Sequence, residues 1–145
     1  MNEASQRAAV IAEAHTWLKT PFHHMARIKG AGVDCAQILI AIYHACDLIP
    51  DIQPGYYPQD WHLHSDDERY LEWVKEYAYQ VDLALPGDLV MFKFGKSHSH
   101  GAVVIEWPMI IHAYKGEGCV ISDATKDPLV GRKVKIFRLN QWGEK

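Results

Sequence analysis

Three cysteines among 145 residues are too few, and the wrong number, for a disulfide framework. The fold must therefore rest on packing alone, and a chain of this length buries most of its apolar surface without covalent staples. No apolar run approaches the ~18 residues that cross a bilayer. No cluster of Lys or Arg stands out either. The 15 basic residues are set against 18 acidic ones for a formal charge of -3, which argues against a nucleic-acid surface. Met1 to Ala14 carries Glu3 and Glu13 and lacks the uninterrupted apolar stretch of a signal peptide. Synthesis in the cytosol is expected, where thiols stay reduced. Repeats, low-complexity tracts and linkers are missing as well, so residues 1–145 read as one domain.

What the chain does have is histidine, nine in all, and a change of character along its length. Ser5 to Lys19 places Ala9, Ala12 and Leu18 at helical spacing, and Pro21 stops the pattern. Ala36 to Leu48 is an apolar run too long for an ordinary strand. It reads as a buried helix closed by Pro50, with Asp34 at or near its N-cap. Asp51 to Ser65, rich in Pro, Tyr, Trp and His, reads as an ordered loop. Asp66 to Tyr79 reads as a third helix with acidic residues in its first turn. After Pro86-Gly87 come five short β-rich segments, Asp88 to Phe94, His100 to Glu106, Met109 to Tyr114, Cys119 to Asp123 and Lys133 to Leu139. Helices first and strands after them imply an α+β domain with an antiparallel sheet.

Cys35 is the first candidate for chemistry. It follows the Gly-containing stretch Lys29-Gly30-Ala31-Gly32 and opens a predicted helix, whose N-terminal N–H groups favour a thiolate. Its position fits equally a small buried packing residue. Cys46, inside the apolar helix, and Cys119, inside a strand, read as packing residues. A thiol nucleophile needs a base, and the base needs an orienting group. Ser97-His98-Ser99-His100 leads into the apolar Gly101-Ala102-Val103-Val104, and the next strand carries His112 between Ile111 and Ala113. Imidazoles in apolar strands require partners, and a hairpin brings such groups together. Cys35, His100 and His112 therefore stand as nucleophile, base and orienter. Two satisfied core histidines remain the alternative, and the hairpin register is not fixed by sequence.

These blocks resemble the NlpC/P60 cysteine peptidases, a papain-like group that cleaves bacterial cell-wall peptides. The likeness runs from Thr20 to about Ala124. Thr20-Pro21-Phe22 is similar to the family's Thr-Pro-Tyr, Gly32-Val33-Asp34-Cys35 to its Gly-x-Asp-Cys turn, and Pro86-Gly87-Asp88-Leu89-Val90 to its Pro-Gly-Asp-Leu-Val strand. Ser99-His100 and Ile111-His112-Ala113 resemble its histidine hairpin. The resemblance implies a papain-like α+β fold with the nucleophile helix packed on a small antiparallel sheet. It implies Cys35 as nucleophile, His100 as base and then acid, and His112 as orienter. It also implies oxyanion donors at the Cys35 backbone N–H and a neighbouring group, worth ~3 kcal/mol each. No metal or organic cofactor is implied. Phe22, Asp34, Ala36 and Trp61 are expected on the substrate cleft. Where the family commonly has Ser-Gly after the cysteine and Tyr in the entry motif, this chain has Ala36-Gln37 and Phe22, which alters recognition of the substrate's polar end.

The implied substrate is an amide in a peptidoglycan stem peptide. Lys29-Gly30-x-Gly32 and Pro58-Gln59-Asp60-Trp61-His62-Leu63-His64 look like the branch found in phage tail modules, which implies tail proteins as partners and action at the cell wall. A non-enzymatic tail adaptor and a thiol acyl or amide transferase are the other classes that fit. His98, His100 and His112 also have the makings of a three-histidine zinc site, although that leaves Cys35 without a role. His98 itself is expected in an exposed loop. His23-His24 and His62-x-His64 read as loop histidines, and Tyr56-Tyr57 as cleft wall or core.

Overall fold

A computed structural model describes residues 2–57 and 69–143. The expectations for Trp61, His62, His64 and the start of the third helix lie outside the described residues. Helix α1 (Glu3–His15) is followed by a two-stranded hairpin, β1 (Arg27–Ile28) and β2 (Gly32–Val33), and then by α2 (Cys35–Ala45). Helix α3 (Arg69–Tyr77) leads into β3 (Ala78–Val81), β4 (Leu89–Phe94), β5 (Ser97–Glu106), β6 (Met109–Tyr114), β7 (Gly118–Asp123) and β8 (Val134–Leu139). The six later strands form one antiparallel sheet in the order β3-β8-β4-β5-β6-β7. This is the α+β class expected, with the Cys35 helix packed on the sheet.

The alternation of side chains along a strand gives the sheet two apolar faces. Leu89, Met91, Val103, Ile111 and Ala113 pack against Val10 and Ala14 of α1 and Ile38, Leu39 and Ile42 of α2. Val90, Phe92, Ala102, Val104 and Ile110 point the other way, against Ala124 and Leu129. Helix α2 is apolar on nearly every side because it lies inside the molecule, with residues from Ala36 to Ile40 buried without a break.

Several boundaries differ from the sequence expectation, each for a local reason. Helix α1 stops at His15, and Lys19, with φ 75, turns the chain so that its N–H reaches the Cys119 carbonyl at 3.0 Å. Helix α2 ends at Ala45 rather than Leu48, with Cys46 as its C-cap and Asp47 left-handed at φ 60. Ala78 and Tyr79, expected as the end of the third helix, are strand together with Gln80 and Val81, because the four pair with Leu139 to Ile136. Tertiary pairing here overrides local preference.

The Pro86-Gly87-Asp88 turn ties the helices to the sheet. Gly87 sits at φ 92, where a side chain is disfavoured, and its carbonyl accepts the Tyr43 hydroxyl at 2.8 Å. The fully buried Asp88 carboxylate accepts from Arg7 Nη1 at 2.9 Å, Arg138 Nη2 at 2.9 Å and the Leu85 N–H at 2.9 Å. One carboxylate thus joins α1, β4 and β8. Removing it takes the buried carboxylate partner from two largely buried guanidinium groups, leaving Arg7 with Glu3 and the Pro86 carbonyl and Arg138 with the Leu83 carbonyl, a loss of ~3 kcal/mol. Asp88→Ala should lower the urea midpoint of unfolding accordingly with an unchanged m-value. A midpoint within experimental error of wild type would show that the cluster is dispensable.

Candidate active site

The turn that carries Cys35 is organised by Asp34. Its backbone is extended, and its Oδ1 accepts the Ala36 and Gln37 N–H groups at 3.1 and 2.8 Å, capping α2. Its Oδ2 accepts the Met25 N–H at 2.7 Å and the Tyr57 hydroxyl at 2.6 Å. The carboxylate is 2% exposed. It is therefore committed to fixing the turn from both sides. Cys35 is the first residue of α2 and is half-buried. The Tyr70 hydroxyl from α3 donates to the Cys35 carbonyl at 3.1 Å. Burial holds the Tyr70 phenol well above its ordinary range, so it remains a donor.

The sheet supplies the other half. The β5–β6 ladder runs from Glu106 and Met109 to Val103 and Ile111. Beyond that point β5 pairs with β4 and β6 pairs with β7, so the two strands fork. In the β4–β5 ladder Phe92 opposes His100 and Lys93 opposes His98, which leaves Ser99 as the extra residue of a bulge. The Cys35 thiol donates to the carbonyl of Ser99 at 3.6 Å, and the N–H of the adjoining Gly101 is aimed back at the sulfur. The Cys35 thiol thus sits against the backbone of the bulge. Gly101 has to be glycine: a Cβ there would stand 2.5 Å from Leu39 Cδ1 and 3.0 Å from the Tyr70 hydroxyl.

His100 and His112 span the fork, with His100 Nε2 2.7 Å from His112 Nδ1. On the far side His112 Nε2 lies 2.8 Å from Ser122 Oγ on β7. Phe92, Phe94 and Tyr114 surround the His100 ring with centroids 6.2, 5.1 and 5.6 Å away, restricting its rotation. Burial alone lowers the pKa of His112 to about 4, so this imidazole is neutral at pH 7. Cys35 goes the opposite way from the expected thiolate. Burial, and then the neighbouring Asp34 carboxylate, push the thiol up to about 12, against the pull of the Gly101, Cys35 and Ala36 N–H groups. The helix terminus is outweighed first by burial and then by its own anionic cap.

The structure sets the Cys35 thiol against the Ser99 carbonyl, next in the chain to His100, and bonds His100 to His112. It places His98 differently from the sequence expectation: within β5, 7% exposed, and opposite Lys93. Residues two apart share a face in a regular strand, but the extra residue at Ser99 sets His98 and His100 on opposite faces. The three histidines therefore do not converge, and among the described residues no three His, Cys, Asp or Glu side chains are grouped to hold a metal ion. Phe22 forms an isolated bridge with Val33 and packs partly buried against the core, beside the nucleophile turn. Ala36 is buried under the same turn. His24 meets the Tyr57 carbonyl through Nε2 at 2.8 Å and stands edge-on to the Tyr57 ring, whereas His23 and Tyr56 are exposed. Sequence reasoning missed Tyr70, Ser122 and the bond from Tyr57 to Asp34. The β6–β7 register, which pairs Ile110 with Ser122 and His112 with Val120, is the signal that puts Ser122 on the face of His112.

The depressed His112 makes a stability prediction. Below its ordinary 6.5 the unfolded chain takes up a proton there that the folded chain refuses down to about 4. The folded state should therefore lose about 3 kcal/mol from this residue as pH falls across that window, and nothing from it above pH 7. Urea unfolding of wild type and His112→Gln between pH 7 and 4 checks this. The variant should show a shallower decline, and parallel curves would contradict a buried neutral imidazole.

No family model matches the sequence, and no curated protein matches it. The fold has clear counterparts among solved structures. The NlpC/p60 domain of the peptidoglycan hydrolase SagA superposes with a TM-score of 0.62 at 18% identity, covering 90% of this chain and 97% of that one. NlpC1 from Trichomonas vaginalis gives 0.67 at 16% identity over 95% of this chain, and an NlpC/P60 family protein from Bacillus cereus gives 0.66 at 20% over 91%. The match spans 45% and 39% of the lengths of these last two, less than half of each. At such identities the likeness establishes an NlpC/P60 fold, the papain-like architecture expected from the motifs.

Proposed function

We propose that this chain is a cysteine hydrolase that cleaves an amide in the stem peptides of bacterial peptidoglycan. The observation that carries the reading is the 2.7 Å bond from His100 to His112 on the neighbouring strand, with the Cys35 thiol donating to the Ser99 carbonyl next in the chain to His100. The fold shared with the domain of a peptidoglycan hydrolase supports the choice of substrate. A tail-borne route to the wall belongs to the same proposal and rests on the Lys29-Gly30-x-Gly32 approach and on residues 58–64, which lie outside the described residues.

In the free enzyme the thiol is protonated. In the proposed mechanism His100, with Nε2 bonded to His112, takes the thiol proton on Nδ1 as the sulfur attacks the amide carbonyl. The carbonyl oxygen becomes an oxyanion, for which the Cys35 N–H is the donor, since Ala36 and Gln37 already donate to Asp34. The imidazolium then gives its proton to the leaving nitrogen, the C–N bond breaks and a thioester remains. Water, deprotonated by His100, attacks the thioester, the carboxylic acid leaves and the thiol is restored. Asp34 and Tyr57 act as positioning residues that hold the turn, while Phe22 and Ala36 contribute apolar wall. The loss of a hydroxyl at both positions shifts recognition toward contacts other than hydrogen bonds at the substrate's polar end.

Purified peptidoglycan, digested and analysed by mass spectrometry, tests this directly. Wild type should release peptide fragments with a new carboxyl and amine terminus, and EDTA should not change the rate. Cys35→Ala should release none while melting within a few degrees of wild type. Fragment release by Cys35→Ala equal to wild type would end the proposal.

A further inference from the structure

Ser122 holds the last place in the side-chain chain that runs from His100 through His112, and hydrogen-bond direction gives it a task. We propose that Ser122 is a positioning residue that fixes the tautomer of His112, and through it the proton-accepting state of His100. The inference rests on the hydrolase reading above.

A neutral imidazole has one N–H and one lone pair, so a bond accepted at one nitrogen requires a bond donated at the other. His112 is 1% exposed and lies between two partners, His100 Nε2 at its Nδ1 and Ser122 Oγ at its Nε2. Where Ser122 accepts from the Nε2–H, His112 Nδ1 is a lone pair and accepts the His100 Nε2–H. The lone pair of His100 then lies on Nδ1, where the thiol proton is to be received. Where Ser122 donates instead, both imidazoles reverse, the His100 proton sits on Nδ1, and the base is blocked. Only the first polarity also suits the imidazolium that forms during attack, because its Nε2–H then meets an acceptor.

The hydroxyl can serve as this acceptor because its own proton has somewhere else to go. Ser122 is half-exposed, so that proton can be given to solvent, whereas the His112 ring has no such freedom. The site is also held in register. Ser122 pairs with Ile110, so its side chain is the diagonal neighbour of His112 on the same face of β6 and β7. Alanine at 122 removes the selector without touching Cys35 or His100. Threonine keeps the hydroxyl on a residue suited to a strand.

The full-length chain, 15N-labelled at histidine, allows both halves of the inference to be read. Long-range 1H–15N spectra at pH 7 should show His112 in wild type and Ser122→Thr as the Nε2–H tautomer, and in Ser122→Ala as a mixture or the Nδ1–H form. The rate of Cys35 alkylation by iodoacetamide should fall about tenfold or more in Ser122→Ala and stay within about twofold of wild type in Ser122→Thr. A purely structural role would lower the melting temperature of Ser122→Ala and leave its tautomer unchanged, and that result would overturn the inference. So would an unchanged alkylation rate alongside a changed tautomer. Wild-type Cys35 reacting no faster than Cys46 would instead count against the hydrolase reading, with the tautomer spectra still deciding the assignment of Ser122.

Discussion

Between Val103 and the start of β5 the sheet is asked to do two things, to stay paired with β4 and to let go of β6. Both follow from one extra residue and one early end to a ladder. Ser99 has no place opposite β4, and the β5–β6 ladder stops at Val103 and Ile111. A bulge bends its strand and re-aims the side chains beyond it. Here it turns a carbonyl and an N–H of the β5 backbone toward the thiol and sets His100 and His98 on opposite faces. The core on either side, from Met91 and Ile111 to Phe92 and Ile110, keeps the fork from collapsing or opening. Glycine at 101 lets Leu39 and Tyr70 close over the strand at the same point.

The electrostatics are those of a site kept neutral. Burial and the Asp34 carboxylate hold the thiol protonated, and burial keeps the His112 imidazole uncharged. A capping carboxylate next to a thiol nucleophile opposes thiolate formation, yet its four hydrogen bonds are what make the turn rigid. Under the proposed hydrolase mechanism the two demands are reconciled, because charge appears only during attack, when the proton moves to His100 and the pair becomes thiolate and imidazolium together. A histidine rather than a carboxylate as orienter fits the same scheme, since a second anion in this buried fork would add to the cost of the thiolate.

How much of this could be read from the chain depended on whether the signal was local. Asp34 as a cap, the buried α2 and the five strands after Gly87 are local patterns, and they stand where the sequence put them to within a few residues. The turn from α3 into β3 is not local, because Ala78 to Val81 become strand only through pairing with β8. His98 was misplaced for a related reason. A bulge leaves no mark in an alternating run such as Ser97-His98-Ser99-His100, and its presence is decided by how β4 packs. Ser122 and Tyr70 were invisible because each meets the site across a register or a helix crossing that spacing alone does not set. Motif resemblance supplied what periodicity lacked, bringing Cys35, His100 and His112 together from three separate elements.

The proposed mechanism turns on His100, bonded to His112, rather than His98 as the base for Cys35. The most direct measurement is the second-order rate of Cys35 alkylation by iodoacetamide at pH 7 in His100→Ala and in His98→Ala, followed by intact-protein mass. The account predicts a fall of about a hundredfold or more for His100→Ala, the scale of a lost general base. It predicts a change below about tenfold, or ~1.4 kcal/mol, for His98→Ala. A normal rate in His100→Ala together with a collapsed rate in His98→Ala would contradict it.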